Sequence, residues 1–148
     1  MKEFITNSDQ ETIQLAQKLV LKLPNEINTI LLEGQLSAGK TTFTKGIGLA
    51  LNVKRIINSP TFTILKSYDG NRPLHHFDFY RIDNDSSSLG FEEIINDDKN
   101  LCVIEWPYNL KGVLPNKYIV INIDIINDNQ RRITVNGVNV NMDWLQKI

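Results

Sequence analysis

Apolar and polar positions recur with two different periods along this chain, and each change of period marks a new element. Near the start, Phe4-Ile5-Thr6 predicts a short strand, and Ser8 followed by Glu11 forms a capping box that opens a helix. Ile13, Ala16, Leu19, Val20 and Leu23 then recur at helical spacing, and the helix is expected to stop before Pro24. The unbroken run Ile30-Leu31-Leu32 reads as a buried strand that breaks at Gly34, and Thr41 to about Leu51 reads as a second helix. Gly46 and Gly48 weaken that helix locally and suggest close helix–sheet packing. Alternation returns in Phe62 to Tyr68 and, after the hairpin signal Asp69-Gly70, in Leu74 to Tyr80, which predicts an antiparallel pair. A polar loop over Asp83 to Ser88, a short helix over Leu89 to Ile95 and a loop over Asp97 to Asn100 come next. The apolar run Leu101 to Ile104 ends in Glu105 and is closed by Trp106-Pro107. The tail predicts strands over Tyr118 to Ile126 and Arg132 to Val138, joined by Asn127-Asp128-Asn129, then a short helix around Asp143 to Gln146.

The junction between the first buried strand and the second helix carries chemistry. Gly34-Gln35-Leu36-Ser37-Ala38-Gly39-Lys40-Thr41 matches G-x-x-x-x-G-K-T, a phosphate-binding loop. Small residues let the loop wrap a triphosphate so that successive backbone N–H groups and the helix N-terminus face the anionic oxygens. In this pattern Lys40 reaches the β- and γ-phosphates of ATP, the Thr41 hydroxyl is a ligand of Mg²⁺, and Thr42 stands near the α-phosphate. Such a loop requires a core sheet that is at least partly parallel, with the ligand at the carboxyl ends of its strands. The expected fold is therefore α/β: a single P-loop NTPase-like domain over residues 1–148, with a mixed, partly parallel central sheet flanked by helices.

Composition narrows the function. The chain has 148 residues, 41% of them hydrophobic, enough for one compact core. With 16 basic against 17 acidic residues there is no global field to hold a polyanion such as tRNA, so any nucleic-acid link is expected to be indirect. Cys102 alone forms no intramolecular disulfide and no cysteine-built metal site, which points to a reducing compartment and a cytoplasmic protein. It reads as core packing. No run is long enough to span a membrane.

A nucleoside triphosphatase also needs a carboxylate at the end of a buried strand, and Glu105 and Asp78 are the candidates; Glu105 has the better context. His75 and His76 point to opposite faces of a strand, cannot chelate one metal together, and read as structural. Trp106-Pro107 reads as packing or as a lid beside the nucleotide, and Arg131-Arg132 as a solvated turn.

The phosphate loop, Ser59-Pro60-Thr61-Phe62, His76-Phe77-Asp78-Phe79-Tyr80-Arg81 and Ile104-Glu105-Trp106-Pro107, in this order and spacing, closely resemble the TsaE (formerly YjeE) family. That family is the bacterial ATPase of tRNA threonylcarbamoyladenosine biosynthesis, and the resemblance spans about Ser8 to Pro107. It implies a partner, the TsaB–TsaD complex, which transfers a threonylcarbamoyl group to an adenosine beside the anticodon. It makes Gly34, Gln35, Leu36, Ser37, Ala38, Gly39, Lys40, Thr41 and Thr42 the triphosphate cradle and Thr41 with Glu105 the magnesium site. It makes Ser59 to Phe62 a mobile loop with Thr61 near the γ-phosphate, and sets Asp78 near the reacting water or metal. The segment Asn7 to Asp9, with Ser8 and Asp9, is its candidate for holding the base. Ser37 departs from the family, which usually has glycine there, and this bears on the loop's geometry.

Three other classes compete. A GTPase would carry Asn-Lys-x-Asp, and Asn116-Lys117-Tyr118-Ile119 lacks the acid. A small-molecule kinase would need an acceptor pocket and an arginine-bearing lid, for which no insertion is evident. A non-catalytic module, shaped by ATP and read by a partner, is separated from a slow ATPase only by a hydrolysis assay.

Overall fold

A computed structural model describes residues 1–60, 64–79, 90–106 and 114–148. The expectations for Thr61, Phe62, Tyr80, Arg81, the Asp83–Ser88 loop, Leu89 and Pro107 lie outside these residues.

Seven strands form one mixed sheet, β1(Lys2–Thr6), β2(Thr29–Glu33), β3(Leu65–Tyr68), β4(Leu74–Asp78), β5(Leu101–Glu105), β6(Tyr118–Ile125) and β7(Arg131–Val138), in the order β1-β7-β6-β2-β5-β4-β3. The four central strands, β6, β2, β5 and β4, run parallel, and both margins of the sheet are antiparallel. β5 is buried along its whole length and β2 is buried up to Glu33, because a central parallel strand is covered on both faces. One face packs on α1(Asp9–Lys22), α2(Lys40–Ala50) and a terminal 3-10 helix, Asp143–Lys147, through residues such as Leu19, Phe43, Ile47, Val103 and Leu145. The opposite face holds Phe77, Phe79, Cys102 and Ile104 against the short α3(Glu92–Ile95), with the Phe77 and Phe79 rings stacked at 5.7 Å. No described helix is long and apolar enough to cross a membrane.

Local signals account for most boundaries. The Glu11 N–H donates to Ser8 Oγ at 3.1 Å, and the Glu11 carboxylate reaches back to the Asn7 N–H at 3.2 Å, so the box closes one residue earlier than its usual form. The buried face of α1 is Thr12, Leu15, Ala16 and Leu19, turned slightly from the expected one. Thr12 goes inward because its hydroxyl bonds Thr6 Oγ1 at 2.7 Å, while Ile13 lies towards α2. The two helices meet closely at Gly46, where a Cβ would stand 2.6 Å from the Ala16 methyl. The glycine therefore serves helix–helix contact, not the helix–sheet packing expected of it. Among the described residues β3 starts at Leu65, after Ile64 with φ 64°, a conformation that a β-branched residue adopts only under constraint and that no strand continues.

Candidate functional site

Three neighbouring strands end at one cleft. β5 lies between β2 and β4, with Leu32 opposite Glu105 and Glu105 opposite Asp78, so both candidate carboxylates stand at the carboxyl edge beside the loop that leaves β2. Leu36, Ser37, Gly39, Lys40, Thr41, Thr42, Ser59, Asp78, Glu105 and Trp106 enclose ≈ 230 Å³. Lys40, Asp78 and Glu105 are 6%, 6% and 3% exposed, well below the usual exposure of charged residues.

The loop is shaped by backbone conformation. Gly39 has φ 112° at the N-cap of α2, accessible without strain only to glycine. Ser37 has φ 67°, the left-handed region, where its Cβ is a steric burden. The departure from glycine noted above thus falls on a residue that needs positive φ. The Ala38 N–H bonds the Gln35 carbonyl at 3.1 Å, and the Arg131 guanidinium donates to the Ala38 carbonyl at 2.8 Å. Arg131 is therefore no solvated turn residue: half-buried at the start of β7, it ties the phosphate loop to the β6–β7 turn, also donating to the Asn127 carbonyl at 2.7 Å. Arg132 keeps the expected exposed position and pairs with Glu3 at 3.5 Å.

Lys40 stands at the centre of the site. Its Nζ donates to the Gly34 carbonyl at 2.8 Å, lies 3.9 Å from Glu105 Oε1, and sits 3.9 Å above the Trp106 ring. Burial pushes the Lys40 pKa down, and the Glu105 and Asp78 carboxylates partly restore it. Trp106 has φ 55°, a further constrained residue at the cleft, and its face gives the ammonium a cation–π contact. The other oxygen of Glu105, Oε2, is hydrogen-bonded to His76 Nε2, and His76 is wholly buried.

The remaining candidates separate. Ser59 lines the cleft, while Thr61 lies outside the described residues. Ser8 caps α1 and Asp9 is exposed in its first turn; neither lines the cleft. Arg55 does not line the cleft: it donates to the Ser67 carbonyl at 3.4 Å and lies over the Tyr68 ring. Cys102 is packed on the far face, and burial pushes its thiol up to about 12. His75 turns outward to Ser67 Oγ at 2.7 Å, opposite in facing to His76 as strand geometry demands.

The family described as Threonylcarbamoyl adenosine biosynthesis protein TsaE matches residues 6–133. The chain belongs to the TsaE family. A TsaE of Bacillus subtilis is 41% identical over 134 residues, covering 90% of this chain and 84% of that protein. A TsaE of Treponema pallidum is 36% identical, covering 88% and 97%. The crystal structure of Bacillus subtilis YdiB superposes with a TM-score of 0.80 at 33% identity, over 99% of this chain and 92% of that one. As a TsaE, this chain has a role in tRNA threonylcarbamoyladenosine biosynthesis. The mixed α/β fold expected from its phosphate loop is the fold of its structural relative.

The donor set has a chemical logic. A triphosphate entering the cleft meets one lysine but two carboxylates, Asp78 and Glu105. Those oxygens and the Thr41 hydroxyl are hard donors, a set that fits Mg²⁺, and such a cation would offset the excess negative charge.

Proposed function

We propose that this chain is a Mg²⁺-dependent ATPase that turns over slowly alone and faster with the TsaB–TsaD complex, in the service of threonylcarbamoyl transfer to an adenosine beside the tRNA anticodon. The observation that carries this reading is the convergence of Lys40, Thr41, Asp78 and Glu105 on one cleft at the ends of β2, β5 and β4. The loop N–H groups and the N-terminus of α2 receive the phosphates of ATP, and Lys40 moves its ammonium from the Gly34 carbonyl to the β- and γ-phosphates. Thr41 and Glu105 would hold the metal, and Asp78, one strand further out, accepts a hydrogen bond from the attacking water and orients it. Bound there, Mg²⁺ supplies charge neutralisation on the phosphate oxygens.

Partner dependence follows from the cations. Among the described residues lining the cleft, Lys40 is the one lysine or arginine, and Arg55 is engaged elsewhere. A further positive group on the γ-phosphate is worth ~10³–10⁵ in rate, whether it comes from the same chain or from a partner. The partner complex is proposed to complete the site through the segment that follows Ser59. The net charge of −1 suits a protein that meets tRNA through its partners, and a single cysteine suits one that works in the reducing cytoplasm.

Steady-state ATP hydrolysis with and without the TsaB–TsaD complex tests the reading. Slow turnover that rises on adding the complex, with Glu105→Ala losing hydrolysis more than ATP binding and Asp128→Ala losing neither, supports it. Full activity in isolation, unchanged by the complex, removes the gating and leaves the ATPase; no hydrolysis in either condition removes the ATPase.

A further inference from the structure

His76, Asp78 and Glu105 share one face of the sheet. His76 and Asp78 are two residues apart on β4, and their register partners on β5 are Val103 and Glu105, also two apart. Val103 packs in the core beneath α1 and α2, whereas the intervening Phe77 and Ile104 belong to the opposite core, so the imidazole lies on the side of the phosphate loop's helix. His76 is fully buried, and Nε2 meets Glu105 Oε2. A carboxylate only accepts, so Nε2 carries the hydrogen. Among the described residues Nδ1 is buried without a hydrogen-bond partner, which costs less for a lone pair than for an N–H. Glu105 is thus divided: Oε2 is held from the core side, and Oε1 faces Lys40.

We propose that His76 is the positioning residue for Glu105, holding Oε2 through its Nε2–H so that Oε1 is presented to the cleft. A glutamate at a strand end has three rotatable side-chain bonds and an ammonium 3.9 Å away to follow; the imidazole, locked by the sheet, removes that freedom. This is how an outer ligand partner acts at metal sites, where its loss costs about 10–100-fold in metal affinity or activity. The inference rests on the ATPase reading for its kinetic consequence, but not for its geometry.

Two variants and one spectrum test it. His76→Leu removes the donor and is expected to lower kcat about 10–100-fold with little change in KM for ATP, and to reduce by a similar factor the gain in nucleotide affinity on adding Mg²⁺. His76→Gln retains an amide N–H and is expected to recover most of both losses. The ¹⁵N–¹H spectrum of the nucleotide-free wild type is expected to show His76 as the Nε2–H tautomer, with that resonance shifted in Glu105→Gln. An Nδ1–H tautomer, an unaltered His76→Leu, or a folded His76→Gln as impaired as His76→Leu would overturn the proposal. If His76→Leu does not fold, the spectrum and His76→Gln decide. A wild type without hydrolysis would defeat the ATPase reading alone, since tautomer and Mg²⁺-dependent affinity are read without turnover.

Discussion

The cleft end of the sheet and its β1-β7-β6 margin are built from opposite kinds of economy. In β6 the burial alternates residue by residue, with Ile119, Ile121 and Ile123 inside, and β7 answers with Ile133 and Val135. Polar side chains there face water. At the cleft, by contrast, Lys40, His76, Asp78 and Glu105 are buried together. Of the five described non-glycine residues at positive φ, Asn52 and Asn139 belong to a type that tolerates it, whereas Ser37, Ile64 and Trp106 do not and stand at or beside the cleft. Ile64 touches it through its carbonyl, which accepts the Asp78 N–H at 2.7 Å. Desolvated charge and strained backbone each cost stability, and they persist because the regular margin and the two cores over-determine the chain around them. The margin stabilises; the cleft is poised for a ligand.

This contrast breaks most sharply if stability and binding fail to separate. Ile121→Ala, in the margin, is expected to cost ~2–5 kcal/mol of folding stability through transfer and cavity terms, while leaving the thermal shift produced by ATP with Mg²⁺ in place. Denaturant unfolding with and without nucleotide checks both halves. The converse is Lys40→Ala, expected to abolish the nucleotide-induced stabilisation, which for the wild type is about 2.7 kcal/mol at a ligand concentration of 100 Kd. If its melting temperature still rose fully with ATP and Mg²⁺, Lys40 would not be the phosphate lysine.

A smaller effect sharpens the picture of strain. Replacing the exposed Ser37 by glycine relieves its φ of 67° and is expected to raise stability by about 0.5–1 kcal/mol, the left-handed penalty less the extra entropy of an unfolded glycine. The same change at the regular, exposed Asp124 should destabilise slightly, and calorimetry distinguishes the two. The smallest expected effect is on chemistry: the Cys102 thiol, raised from 9.0 to about 12 by burial, is expected to resist alkylation at pH 8 in the native state and to react fully in denaturant. The sign extends to stability. A group with a raised native pKa contributes below its unfolded value and loses that contribution as pH rises through the native one, so Cys102 favours unfolding between about 9 and 12.

What was legible from residues alone was whatever depends on neighbours in sequence. The Ser8 and Glu11 cap, the glycine-bounded loop, the apolar runs of β2 and β5 and the acid that ends β5 are local patterns, and each appears within a residue or two of its expected place. The tail strands were legible too, as β6 and β7. The partnerships across the fold were not. Arg131 lies 93 residues from Ala38, and His76 lies 29 from Glu105; their contacts exist only because the sheet order sets β7 beside β6 and β4 beside β5. Two histidines in a row announce opposite facing, but not which of them meets a carboxylate. Gly46 was readable as a point of close approach, yet only the packing of α1 on α2 decided that a helix, and not the sheet, comes near. Periodicity and motif chemistry specify elements and their termini because those energies are local; register and strand order specify which buried polar groups satisfy one another, because that depends on the whole core closing around them.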